Sequence, residues 1–160
     1  MIRPCDSRDV AAIDRIVNDA AEAYRGAIPR DCWHEPYMPR SELEAEIGAG
    51  VRFWGWEDED ALIGVMGMQD VKDVTLIRHA YVVSHAQRRG IGSALMQALV
   101  PLAKGRLMVG TWAAAHWAIR FYERHGFRLA PPAEKQRLLE TYWRISARQR
   151  DTSVVLVHET

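Results

Sequence analysis

The sequence predicts one α/β domain built on a mixed sheet. Three observations carry that expectation. Short β-branched runs alternate with apolar residues at helical spacing along the whole chain. At 160 residues, 48% of them hydrophobic, the chain is long and apolar enough to bury one core. The 21 Lys+Arg balance 21 Asp+Glu, so neither the charge excess of a disordered chain nor the overall basic footprint of a nucleic-acid binder is present.

The elements follow in order. Asp6 or Ser7 caps a helix whose apolar positions are Val10, Ile13, Ile16, Val17 and Ala20. Tyr24–Pro39 holds Gly26, Pro29, Pro36 and Pro39 and reads as loop or short turns. A second short helix opens at Ser41–Glu44 and ends near Gly48 and Gly50. Val51–Trp56 and Leu62–Gln69 form a hairpin around the acidic turn Glu57–Asp60. Val74–Val83 is the strongest strand signal. It is followed by the turn Ser84–Gly90 and a helix with Ile91, Ala94, Leu95, Ala98, Leu99 and Leu102 on one face. Leu107–Trp112 is a strand, and Ala118–His125 is a helix stopped by Gly126. Glu134–Arg150 reads as one additional amphipathic helix between the short strands Phe127–Leu129 and Ser153–His158. The order is therefore α-α-β-β-β-α-β-α-β-α-β.

Several classes of protein are excluded by what is missing. Cys5 and Cys32 are too few for a disulfide scaffold. The start of the chain lacks an apolar run behind a basic head, so no secretory signal is expected. The longest charge-free apolar stretch, Leu107–Ile119, is too short to span a bilayer and is interrupted by Gly110 and His116. No His-x-x-x-His pair occurs, and no metal site is expected. The expectation is a cytoplasmic protein without membrane or nucleic-acid partners.

The chemistry concentrates in Tyr81–Ser93, where a strand runs into an Arg- and Gly-containing turn that opens a helix. Gly90 and Gly92 permit close backbone approach, and the first helical amides and the helix dipole favour an anion. Arg88 and Arg89 add two cations. A diphosphate suits such a site; an ordinary glycine turn with solvated arginines suits the same residues. No Gly-x-x-x-x-Gly-Lys run exists, and Gly90-Ile91-Gly92 lacks the third glycine of a dinucleotide fingerprint. The spacing is Gln-x-x-Gly-x-Gly, from Gln87 to Gly92.

This segment is similar to the acetyl-CoA-binding motif of the GNAT superfamily of N-acetyltransferases, Arg/Gln-x-x-Gly-x-Gly/Ala. A second block, Ala118–Phe127, resembles the family's Ala-x-x-Phe-Tyr-x-x-x-Gly-Phe helix. The resemblance spans roughly Ile2–Leu129 and the last strand. It implies a mostly antiparallel central sheet flanked by helices over residues 1–160, here with an extra helix between the last two strands. It also implies acetyl transfer from acetyl-CoA to an amine. The departure, Glu134–Arg150, bears on the substrate side of the molecule.

Residue by residue, the resemblance puts the pantetheine arm and thioester against the backbone of Tyr81, Val82 and Val83, with an N–H near Ala80–Val82 serving the developing oxyanion. The diphosphate falls to Arg88, Arg89, Gly90, Ile91, Gly92 and Ser93, and His116 matches a polar position near CoA. Tyr122 matches the general acid, with an aromatic packed beside Phe121 as the alternative. Period-two alternation places His79 with Thr75, Ile77, Tyr81 and Val83 on one strand face. From there His79 suits the general base, or is simply a hydrogen-bonded core or edge histidine. In the Tyr24–Pro39 loop, Trp33, His34, Glu35 and Tyr37 suit an amine acceptor, Glu35 by charge and the aromatics by stacking. The same aromatics would also pin the loop to the core. Trp112, Trp117 and Trp143 either floor this pocket or pack.

The expected acceptor is a small-molecule amine. A protein or peptide acceptor is the nearest alternative, and a non-catalytic acyl-CoA-binding module is the alternative from another class. Ser153–His158 is a candidate edge strand for a homodimer.

Overall fold

The computed structural model describes residues 1–87 and 89–159. Its strands are β1 (Ile2–Pro4), β2 (Arg52–Asp58), β3 (Ala61–Val71), β4 (Val74–Val82), β5 (Arg106–Trp112), β6 (Phe127–Leu129) and β7 (Ser153–His158). Its helices are α1 (Val10–Ala20), α2 (Arg40–Gly48), α3 (Ile91–Leu99), α4 (His116–Arg124), α5 (Pro132–Tyr142) and α6 (Ala147–Asp151). All seven strands join one sheet in the order β1-β2-β3-β4-β5-β7-β6. Every pairing is antiparallel except β4 with β5. Among the described residues no helix is long and apolar enough to cross a membrane.

Local chemistry accounts for most boundaries. Asp6 accepts from the Arg8 amide while Asp9 accepts from the Asp6 amide, a reciprocal cap that turns the chain from β1 into α1. Glu59 and Asp60 both have positive φ, the requirement of a two-residue hairpin turn of the right twist between β2 and β3. α1 contributes Ile13, Ile16 and Val17 to the core, and α3 contributes Ile91, Leu95 and Leu99. Both helices pack on β3 and β4, and α5 packs on β7 with Leu138 and Leu139 buried.

The structure departs from the sequence reading at four places. β1 was not anticipated, because three residues ending in Pro4 carry almost no strand signal. Glu134–Arg150 is two helices rather than one. The chain is extended at Trp143, whose indole lies on Gly110 of β5, and Ser146 caps α6 by accepting from the Gln149 amide. The half-buried indole sits against bare β5 backbone at the point where the helix ends. β7 is not the edge strand of the sheet: β5 runs along one side of it and β6 covers Leu156–His158 on the other.

Finally, strict alternation along β4 fails. Val65 pairs with Tyr81 but Gly67 pairs with Arg78, so β4 carries one extra residue, and His79 sits at φ +55°. Neighbours Arg78 and His79 therefore reach the same carboxylate, Glu46 of α2, each at 2.8 Å.

The β4–β5 pairing is short. It runs only from Val74–Arg106 to Ile77–Val109. Beyond Ile77 the two strands part. The closed end is held tightly: Gly105 lies against the Asp73 carbonyl with no room for a Cβ, and Thr75 Oγ1 accepts from the Lys104 and Gly105 amides. Gly105→Ala forces that contact apart and should cost about 1–3 kcal/mol in chemical denaturation. An unchanged midpoint and slope would show that the closed end yields freely.

Candidate active site

Two cavities meet where β4 and β5 part. The larger, about 600 Å³, is lined by Tyr81 and Val82 of β4, Gln87 and Gly90–Ser93 of the turn and α3, and Trp117, Phe121, Tyr122 and Arg124 of α4. The smaller, about 160 Å³, is lined by Tyr37, Arg78, His79, Thr111, Trp112, Trp143, Gln149 and Ser153, among others. Tyr24, Ala80, Tyr81 and Tyr122 border both. A molecule in one can therefore meet a molecule in the other only beside these four residues.

The larger cavity suits an extended anionic ligand. Antiparallel pairing turns alternate residues toward the neighbouring strand. The Val83 amide donates to Ile63 O at 2.9 Å, so the polar groups of Val82 face away from β3, into the split. The Gln87 side-chain amide confirms that direction by donating to Val82 O at 3.2 Å. The Val82 N–H is then aimed where no β5 partner reaches. Gly90 caps α3 at φ +78°, a conformation that favours glycine, and it presents the first α3 amides to the cavity. A Cβ on Gly92 would stand 3.4 and 3.5 Å from the Phe121 ring, so the glycine keeps this wall thin. Ser93 Oγ is 2.9 Å from His125 Nε2, which ties α3 to α4; burial and the neighbouring Arg124 lower the His125 pKa.

Tyr122 is 6% exposed, packed between Phe121 and Phe127. Burial, with Tyr24 nearby, pushes its phenol well above the ordinary value, so it stays protonated. Burial pushes Tyr24 up to about 12 as well. In the smaller cavity the His79 ring stacks between Phe53 and Tyr81, with centroids 6.1 and 6.3 Å away. Glu46 Oε1 receives both His79 Nε2 and Arg78 Nη2. Burial works to raise the Glu46 carboxyl, but the hydrogen bond with His79 and the His79 and Arg78 charges outweigh it and hold the pKa below its ordinary value. A carboxylate at Nε2 favours the tautomer with hydrogen there and a lone pair on Nδ1.

The anticipated residues divide clearly. Tyr81, Val82, Gly90, Ile91, Gly92, Ser93 and Tyr122 line the larger cavity, and Tyr37, His79, Tyr81 and Tyr122 line the smaller. Val83 spends its amide on Ile63. Arg89 pairs with Asp58 at 3.2 Å, drawn to the acidic hairpin. Arg88 lies outside the described residues. His116 is exposed in the first turn of α4 and lines neither cavity. Trp33, His34 and Glu35 form their own exterior cluster. Arg25 bonds Glu35 at 2.6 Å and lies 4.6 Å over the Trp33 ring, while Trp33 Nε1 donates to Glu35. Neither cavity includes these three.

Sequence reasoning passed over Arg124, Tyr24 and Glu46, while Trp117 and Trp143, read as either flooring a pocket or packing, line the larger and the smaller cavity respectively. Trp117, Phe121 and Arg124 follow helical spacing, so that face was available to be read. Glu46 gives no local signal, since only the fold brings it to His79. Glu46→Gln should lower stability by about 1–3 kcal/mol at pH 7 in urea. The folded pKa lies below the ordinary 4.5, so the difference is present above that value and disappears as the pH falls through the folded one. An equal deficit at pH 3 would mean that the Glu46 charge is not the cause.

Comparison with known proteins places these observations. The family model "Acetyltransferase (GNAT) family" matches residues 13–127. The peptidyl-lysine N-acetyltransferase YiaC of Escherichia coli K12 is 32% identical over 81 residues, 51% of this chain; the match spans 53%, about half, of that relative. The PaiA N-acetyltransferase of Thermoplasma acidophilum, solved with coenzyme A, superposes with TM-score 0.73 at 13% identity, covering 100% of this chain and 98% of that one. The ribosomal-protein-S18-alanine N-acetyltransferase of Escherichia coli gives TM-score 0.69 at 18% identity, over 99% and 92%. At these identities the two structures show a shared fold.

Proposed function

Because the chain belongs to the acetyltransferase (GNAT) family, we propose that it transfers an acetyl group from acetyl-CoA directly to the primary amine of a small molecule. The carrying observation is the meeting of the two cavities at Tyr24, Ala80, Tyr81 and Tyr122. The larger cavity fits coenzyme A: its volume of about 600 Å³, the bare glycine wall at Gly92 and the α3 amides suit a pantetheine arm ending in a diphosphate. Arg124 supplies a cation on that wall in the place given to Arg89, which pairs elsewhere.

Acetyl-CoA supplies the activated acyl carbon: the amine nitrogen bonds to it as the C–S bond breaks, nitrogen losing a proton and sulfur gaining one. The chain's residues serve that exchange. The Val82 N–H, turned into the split, stabilises charge on the acyl oxygen. Tyr122 holds its proton at Oη and gives it, or a strong hydrogen bond, to the departing sulfur. Burial raises a thiol's pKa as it raises the phenol's, so the match between them survives desolvation. His79, fixed by Glu46, takes the amine proton at Nδ1. The walls hold the partners together, a contribution of several kcal/mol.

A peptide acceptor is the second reading, favoured by the name of the curated relative. The small second cavity, bordered on one side by Leu139, Trp143, Ile145 and Gln149, favours the first.

Release of free thiol from acetyl-CoA across a panel of amines and lysine peptides tests the activity, and silence across both groups overturns it. Tyr122→Phe should lower kcat by about 10²-fold with the CoA Kd within about twofold. Unchanged turnover would remove Tyr122 from the mechanism, and would leave a CoA-binding module as the better description if the wild type is equally slow. Gly92→Leu should instead raise the CoA Kd by about tenfold or more in calorimetry, since it drives a side chain into Phe121.

A further inference from the structure

The second cavity has a composition that selects among amines. It is small, about 160 Å³, below the ~300–1,000 Å³ of pockets for drug-sized ligands. Tyr37, Trp112 and Trp143 bring aromatic rings to its wall, and Arg78, His79, Thr111, Gln149 and Ser153 bring polar groups. Among the described residues no Asp or Glu lines it. The one carboxylate near it, Glu46, is already held by Arg78 and His79. Arg78 in turn spends its other nitrogen on Gln69 at 3.0 Å. A second ammonium entering here would be buried without a counter-charge, which is costly. An aromatic body can lie against the rings of Tyr37, Trp112 and Trp143 without needing a counter-charge.

Trp143 is the distinctive wall. It follows α5 in the segment that lengthens the chain between β6 and β7, and it stands at the break where the helix gives way to extended backbone. A Cβ on Gly110 would be 3.3 to 3.5 Å from three atoms of its indole, so the ring lies against bare β5 backbone. The ring is thereby fixed in place beside the split where the amine must arrive.

Resting on the acetyltransferase reading, we propose that the acceptor is a primary amine carrying a single charge on a flat apolar body, an arylalkylamine, and that Trp143 is the residue that selects it. Polyamines and aminoglycosides are rejected for want of a carboxylate. A lysine peptide is disfavoured because its chain must pass the same wall.

The test compares 2-phenylethylamine, spermidine and an N-acetylated lysine peptide as acceptors with saturating acetyl-CoA. Binding of each amine to the protein–CoA complex is followed by calorimetry. The expected result is a kcat/KM for 2-phenylethylamine about tenfold or more above the other two. Trp143→Ala should raise its KM and its Kd about tenfold while leaving the KM of acetyl-CoA within about twofold. Trp143→Phe keeps a flat wall and should stay within about threefold of wild type, which separates a contact from a folding defect. Equal or better use of spermidine or peptide overturns the inference and leaves the acetyltransferase reading standing, as does a Trp143→Ala protein with unchanged KM. Silence toward all three acceptors with CoA still bound overturns this inference, while the acetyltransferase reading falls only on silence across the wider panel.

Discussion

The early end of the parallel pairing between β4 and β5 governs the rest of the molecule. After Ile77 and Val109 the strands no longer share hydrogen bonds, while each remains paired on its other side, β4 with β3 and β5 with β7. Backbone groups in the middle of a sheet are thereby left pointing into space, which a folded chain tolerates only where water or a ligand can satisfy them. The tight packing at Gly105 and Thr75 keeps the closed end shut, so the opening is a fixed feature of the frame. Both cavities and the phenol between them follow from it.

Around that opening, charge is sorted by local pairing. The acidic hairpin tip draws Arg89 to Asp58, and the loop after α1 neutralises Glu35 with Arg25. Both ion pairs are exposed and contribute little to stability. They do decide which side chains are left for a ligand. Arg124 has no carboxylate among its hydrogen-bond or ion-pair partners in the described structure and faces the larger cavity; Arg78, which lines the smaller, is paired with Glu46. The result is a cation on one side of Tyr122 and, on the other, a pocket of aromatic rings and polar groups with no carboxylate in its wall among the described residues.

Much of this was legible in the residues. The glycine turn at Gly90 and Gly92, the α3 face, the hairpin and the Phe121–Tyr122 helix all depend on contacts within one or two elements, and periodicity reports such contacts directly. What escaped depends on distant parts of the chain. His79 lies on a bulge that period-two reasoning cannot see, and its partner is 33 residues away. Trp143 ends its helix against a glycine on another strand, a contact that no local pattern reports. β7 lost its supposed edge only because β6 adds outside it. Trp33 and Glu35 read as a binding cluster from their types; the structure pairs them with Arg25 and places them outside both cavities.

The contact between Trp143 and Gly110 has a consequence for how the molecule can change. A side chain larger than a methyl at residue 110 would lift the indole from β5, and loss of the indole would leave a strip of bare strand exposed. Neither position can drift alone. Retailoring the pocket by design would mean exchanging both together, or grafting a whole new segment between β6 and β7, with the coenzyme side left untouched.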